Sequence, residues 1–291
     1  MILVTGAAGN TGSEVVRQLA AKGIRARALI RNPDKAKLFT GPGVETVVAD
    51  LEKPTTLDAA LKGVDKVFLV SSVDPRVGQL HGNLIESAKR AGVKQIVRLS
   101  AISASPSSPV QFLKWHGEVD ERLSRSGLSY AILRPSFYMQ NLIGFRASIQ
   151  SDGAVYGSFK EGKMAPIDTR DVALTAAAVL TSEGHSGRIY ELTGPESLPF
   201  GKVVAALGRG IGREVTYVDV PPETARANAA AAGWPTWLGD GFVELMTFFA
   251  TGGAEGVNGT VEKLTGKKPR TVETFAKDFT PLFAGKVGAD A

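Results

Sequence analysis

The chain has 291 residues and no cysteine, with 34 Lys and Arg against 29 Asp and Glu for a formal net charge of +5. These values exclude disulfides, cysteine nucleophiles and thiolate metal sites, and with no run of five or six basic residues a nucleic-acid partner gains little support. With 43% hydrophobic and 22% charged residues, no apolar stretch near the ~18 residues of a membrane span and no basic-flanked leader, a cytoplasmic globular protein is expected.

Residues 2–5 read as an apolar strand that runs into Gly6, Gly9 and Gly12, with a helix over 13–22. Gly6 permits a tight turn, Gly9 lets backbone approach a pyrophosphate, and Gly12 lets the helix pack closely on the strand. The loop, with Ala8, Asn10 and Thr11, is the signature of a dinucleotide site, the phosphates resting on the helix N-terminus.

A second strand over 24–30 ends at Arg31-Asn32-Pro33, a short helical stretch follows at 33–38, and no acid occurs before Asp34. An NAD site usually sets Asp or Glu there for the ribose hydroxyls. Arg31 instead suits a ribose phosphate, which favours NADPH over NADH, with Lys35 as a second positive charge. The alternative is a solvated Arg31 at a strand end. A third strand over 45–49 ends at Asp50-Leu51, placed to meet an adenine or simply to cap the next turn. Helix 55–62 and strand 66–71 lead to Ser71 and Ser72, and helix 78–91 and strand 95–100 lead to Ser100. Hydroxyls at the carboxyl ends of parallel strands lie where a ligand rests. Helix 111–126 and a sixth strand over 129–134 complete the regular alternation, which predicts a doubly wound parallel α/β sheet of the Rossmann type over residues 1–150.

Beyond residue 150 the rhythm breaks, and residues 151–291 are expected to form a smaller α+β substrate lobe. A turn and short strand fall at 152–157. A helix over 169–180 begins with Asp168 or Thr169 as cap, and a strand near 188–193 returns to the sheet region. Residues 221–260, rich in Ala, Gly, Trp and Phe, read as helices forming either a lid or a packing subdomain, and 285–291 as a frayed end. His81, His116 and His185 are too scattered in sequence to suggest a zinc cluster, so no metal is expected.

The glycine pattern, Arg31-Asn-Pro, His116-Gly-Glu-Val-Asp120, Ser126-Gly-Leu128, Tyr130-Ala-Ile-Leu-Arg-Pro135, Met139-Gln-Asn141, Asp168-Thr-Arg-Asp-Val-Ala173 and Leu264-Thr-Gly-Lys-Lys-Pro269 resemble NmrA-like atypical short-chain dehydrogenases. Within that group the chain is similar to type-2 NAD(P)H:quinone oxidoreductases, triphenylmethane reductases and azoreductase-like proteins. The resemblance spans nearly the whole chain, and it implies that homodimers occur.

Most short-chain dehydrogenases use a Tyr and, four residues on, a Lys. Aligned on the resemblance, those positions hold Phe112 and His116, so the usual tyrosine acid is missing. Phe112, His116, Val119 and Leu123 share one helical face, which turns His116 toward sheet and cofactor as a catalytic and cofactor-contacting candidate, with a satisfied core histidine as the bland alternative. Lys114 is expected to reach water, and Glu118 and Asp120, although they fit the resemblance, could equally form surface pairs such as one with Arg122. Phe137, Tyr138 and Asn141 are placed to line a flat aromatic pocket, although structural packing accounts for Phe137 equally well; Tyr138 is the better candidate of the two and also a catalytic candidate.

A site without the tyrosine suits an acceptor that takes hydride easily, such as a quinone, an azo bond or a triphenylmethane dye. The reading is therefore an NADPH-dependent oxidoreductase for a small conjugated molecule. Two alternatives remain, a redox sensor that binds NADP(H) without turnover, as NmrA regulators do, and a biosynthetic imine or enone reductase.

Overall fold

The alternating apolar strands assemble into one parallel seven-stranded sheet in the computed structural model, which describes residues 1–284. The expected frayed end at 285–291 lies outside the described residues. Strands β1 (Ile2–Val4), β2 (Ala26–Ile30), β3 (Val44–Val48), β4 (Lys66–Leu69), β5 (Gln95–Leu99), β6 (Ser129–Pro135) and β9 (Arg188–Leu192) stand in the order β3-β2-β1-β4-β5-β6-β9. Order reverses between β1 and β4, so ligands are expected in the crevice at the carboxyl ends of those strands.

Side chains alternate across the sheet and build a core on each face. Ile2, Val4, Ala28, Phe68 and Val97 pack against helices α1 (Asn10–Ala21) and α6 (Thr169–Thr181). Leu3, Leu29, Val67, Leu69 and Ile96 face α2 (Pro54–Ala60), α3 (Val77–Arg90) and α4 (Gln111–Ser124). Each fully buried Val, Leu or Ile contributes roughly 1.5–3 kcal/mol, which makes this two-sided burial the main source of stability. Residues 33–38 form a 3₁₀ turn whose entry is capped by Asn32.

A third core lies in the lobe built from α5 (Arg146–Asp152), β7 (Ala154–Gly157), β8 (Lys163–Met164), β10 (Leu198–Pro199), α7 (Phe200–Ile211) and β11 (Thr216–Asp219). The helical pair α8 (Pro222–Ala231) and α9 (Thr236–Ala250), then α10 (Thr260–Thr265), α11 (Val272–Asp278) and α12 (Thr280–Phe283), complete the described chain. The chain crosses between these bodies more than once. Residues of α6 and β9, together with Val261, return to the sheet core, and Asp168 caps α6 by accepting from the Arg170 N–H. Among the described residues no helix is long and apolar enough to cross a membrane.

Candidate active site

The expected crevice is a cleft of about 670 Å³ at the carboxyl ends of the strands around the β1–β4 reversal. Its floor at one end is the glycine loop. Gly6 adopts φ +53°, and the Thr5 hydroxyl ties the loop to β4 by donating to the Val70 carbonyl at 2.6 Å while accepting from the Val70 N–H at 2.8 Å. Helix α1 begins at Asn10, three residues before the sequence reading places it, with Gly9 as N-cap and no side chain occupying the cap. The N–H groups of the first turn, at Asn10, Thr11 and Gly12, are thereby free for an anionic ligand. A Cβ on Gly12 would stand 2.2 Å from the Gly6 carbonyl oxygen, so helix and loop meet too closely for any side chain. This uncapped, closely packed N-terminus is what a pyrophosphate requires, and the donor set fits a dinucleotide.

Gly6, Ala8, Gly9, Asn10, Thr11 and Gly12 all border the cleft, as do Arg31, Asp50 and Leu51. Arg31 is exposed and makes no ion pair or hydrogen bond among the described residues, whereas nearby Arg76 is held by Asp74 and Glu52, both at 2.8 Å. Lys35 does not border the cleft. Asp50 caps the following turn by accepting from the Glu52 N–H at 3.0 Å, and it also borders the cleft.

Ser71, Ser72, Ser100, Phe112, His116, Tyr138 and Asn141 border the same cleft from four separate segments. Phe137 does not join them. It lies in the lobe core, edge-on to Phe159, Phe200 and Phe249 at centroid distances of 6.0, 5.8 and 5.9 Å. In extended chain adjacent side chains point to opposite sides, so Tyr138 reaches the cleft and its neighbour cannot. Burial raises the Tyr138 hydroxyl well above its usual range, opposed by the Thr11 side chain, which puts Tyr138 beside the glycine loop.

Asp120 departs most from expectation. It is 5% exposed and makes no pair with Arg122, whose guanidinium lies toward Glu86 and the Gly78 carbonyl. Its carboxylate accepts from Arg98 on one oxygen, and on the other from Ser100 Oγ at 2.9 Å and Arg134 at 2.8 and 3.1 Å. The reason is helical geometry. Asp120 lies one turn beyond His116 and shares its inward face, while Lys114 and Glu118 point to water.

Arg98, fully buried in β5, also draws together two histidines that look remote in sequence. Its Nε lies 3.4 Å from His81 Nδ1 and its Nη2 3.0 Å from His116 Nδ1. Burial, then the charges of Arg98 and Arg134, push His116 down to about 3, and His81 falls well below its ordinary value for the same leading reason. Burial beside a guanidinium disfavours the charged form of both rings.

Trp115 and Trp237 were not signalled by the helical pattern. Trp115 borders the cleft beside Phe112 (5.7 Å between centroids), and Trp237 from α9 completes the cluster at 6.1 Å from Trp115 and 6.4 Å from Phe112. Trp237 remains 37% exposed, so the α8–α9 pair brings an incompletely covered aromatic surface near the cleft.

A glycine-turn anion site at the reversal of a doubly wound sheet, opening onto a pocket of hydroxyls and aromatics, defines the class of NAD(P)H-dependent oxidoreductases. The chain belongs to the NAD(P)H-binding family, whose sequence profile matches residues 6–183. It is 41% identical over 283 residues to the NAD(P)H azoreductase of Xenophilus azovorans, covering 97% of this chain and 99% of the relative. The structure superposes on NADPH-dependent quinone oxidoreductase from Escherichia coli complexed with NADPH, with a TM-score of 0.88, 30% identity and coverage of 96% and 99%. It also matches the Citrobacter sp. triphenylmethane reductase complexed with NADP(H), with a TM-score of 0.85, 26% identity and coverage of 96% and 99%.

Proposed function

We propose that the protein uses NADPH to reduce a small conjugated acceptor, a quinone, azo or triphenylmethane compound, without a tyrosine acid. The observation that carries this reading is the pocket wall of Phe112, Trp115 and His116 in the same cleft as the glycine loop. Phe112 has no proton to give, and His116 is neutral, so these residues favour substrates whose reduction needs orientation more than acid catalysis. Bound NADPH supplies the hydride. The chain's residues then hold the acceptor flat against Phe112 and Trp115, exclude water, and present polar groups only at the pocket floor. Tyr138, Thr11 and the first turn of α1 act at the phosphate end.

Purified protein mixed with NADPH and a panel of quinones, azo dyes and triphenylmethane dyes is expected to oxidise the nucleotide only when an acceptor is present. Tight cofactor binding with no acceptor-dependent oxidation would remove the enzyme reading and leave a sensor.

Arg31 carries the preference for NADPH, because its guanidinium is uncommitted and borders the cleft. Losing a charge-assisted bond to a phosphate costs about 1.5–3 kcal/mol, so Arg31→Ala should weaken NADPH binding roughly 10- to 100-fold and leave NADH binding within about twofold. Nicotinamide fluorescence titrations measure both. An unchanged ratio of the two affinities would show that Arg31 is merely solvated.

A further inference from the structure

The polar groups around Arg98 form one chain of donors and acceptors with a fixed direction. A guanidinium has donors only. Since its Nε and Nη2 face the Nδ1 atoms of His81 and His116, both Nδ1 atoms accept, and the single proton of each neutral ring stands on Nε2. His81 Nε2 then donates to Ser71 Oγ at 3.0 Å, and Ser71 passes its own proton to the Ser72 carbonyl at 3.0 Å. On the other branch Arg98 Nη1 donates to Asp120 and to the His116 carbonyl, at 3.2 Å for the latter. Asp120 in turn takes the Ser100 proton, leaving the Ser100 lone pairs open to the cleft. Among the described residues His116 Nε2 has no partner, and it is not among the buried unpartnered atoms, so it faces the open cleft.

We propose that Arg98 is a positioning residue that sets the polarity of the pocket floor, presenting His116 Nε2–H as a donor and Ser100 Oγ as an acceptor to the bound molecule. The proposal rests on the reading of this cleft as the site of hydride acceptance, and it sharpens the substrate class. A quinone or an azo compound gains hydride with its electron pair and becomes an anion at oxygen or nitrogen, the atom that a fixed N–H stabilises. The anion then takes its proton from water, while His116 keeps its own. A triphenylmethane cation takes hydride at carbon and becomes neutral, so it has no atom for His116 to stabilise. The floor is built for acceptors with a lone pair on the atom that becomes negative.

Histidine tautomers report this device without turnover. In protein labelled with ¹⁵N-histidine, long-range ¹⁵N–¹H spectra between pH 5 and 8.5 should show His81 and His116 as Nε2–H forms that do not titrate. His185, which lies elsewhere against Tyr190 and Ser182, is the internal reference. The charged groups facing the two rings are Arg98, Arg134 and Asp120. An imidazolium or an Nδ1–H form at His116 would overturn the proposal. Arg98→Lys keeps a positive charge for Asp120 but loses the fork. It should release His116 from the single tautomer and slow quinone and azo reduction about tenfold or more, with triphenylmethane reduction and the KM for NADPH within about threefold. Equal slowing of all three acceptors, or an unchanged tautomer, would reduce Arg98 to a structural role. Should Arg98→Lys not fold, His116→Gln, which retains an N–H donor, should keep more quinone activity than His116→Leu, and equal rates would count against the proposal. If no acceptor is reduced at all, the functional reading fails, while the wild-type spectra still decide the role of Arg98.

Discussion

Asp120→Ala should destabilise the protein by about 3–5 kcal/mol, because it leaves the fully buried Arg98 and the mostly buried Arg134 without their carboxylate. Three groups lose an acceptor at once, the two guanidiniums and the Ser100 hydroxyl, and the fully buried Arg98 has no water available as a full replacement. For a chain of this size the thermal midpoint should fall by on the order of 10 °C. Arg122→Ala provides the contrast. Its contact with Glu86 spans 3.9 Å between half-exposed side chains, and such pairs contribute about 0–1 kcal/mol. Calorimetry of both variants separates the two possibilities for Asp120. A midpoint for Asp120→Ala close to that of Arg122→Ala would mean that the buried carboxylate is not what neutralises Arg98.

The physical reason Asp120 escapes a reading of the sequence also explains what that reading captures well. Elements with a strong period declare themselves. The strand–glycine–helix start, the alternation through Pro135 and the clustering of Ser71, Ser72 and Ser100 at strand ends follow from local pattern, and the cleft assembles from them. Charged residues carry no such period, and Asp120 sits in a run with Glu118, Glu121 and Arg122 that resembles an ordinary solvated face. The available signal lay elsewhere. Arg98 interrupts Gln95-Ile-Val-Arg-Leu99, a central strand with all five residues buried, and a buried arginine needs a carboxylate. Asp120, one turn past His116 on the helix that follows β5, is the acid on the inward face.

The aromatic residues were less legible for a different reason. Phe137 and Tyr138 are adjacent and similar in chemistry, and which one faces the cleft depends on the phase of one extended segment relative to the lobe. Trp115 and Trp237 meet across two elements far apart in sequence, so their cluster is a tertiary event that no local spacing encodes.

The glycine loop permits a separation of folding from cofactor binding. Gly12→Ala is expected to cost about 3 kcal/mol or more in the protein without nucleotide, at the upper end of overpacking effects. The new Cβ would meet backbone, with Gly6 O at 2.2 Å, Gly6 C at 2.7 Å and Ala7 Cα at 3.0 Å, and backbone cannot swing aside as a side chain does. Relief requires α1 to move off the loop, which displaces the N–H groups of Asn10 and Thr11, and a misplacement of about 1 Å can cost on the order of 100-fold. NADPH affinity should fall by at least that factor. Gly9→Ala behaves differently, because the nearest atom to its Cβ is Gly6 O at 3.3 Å, a crowding that a shift of a few tenths of an ångström removes. Its stability without nucleotide should change by less than about 1 kcal/mol, whereas NADPH affinity should still drop about tenfold or more, since the added methyl stands where backbone must approach the pyrophosphate. Thermal melts without nucleotide and fluorescence titrations with it test both variants. If Gly9→Ala bound NADPH as tightly as the parent chain, the pyrophosphate would not lie against Gly9. If Gly12→Ala melted normally, the contact between α1 and the loop would not be what makes that position a glycine.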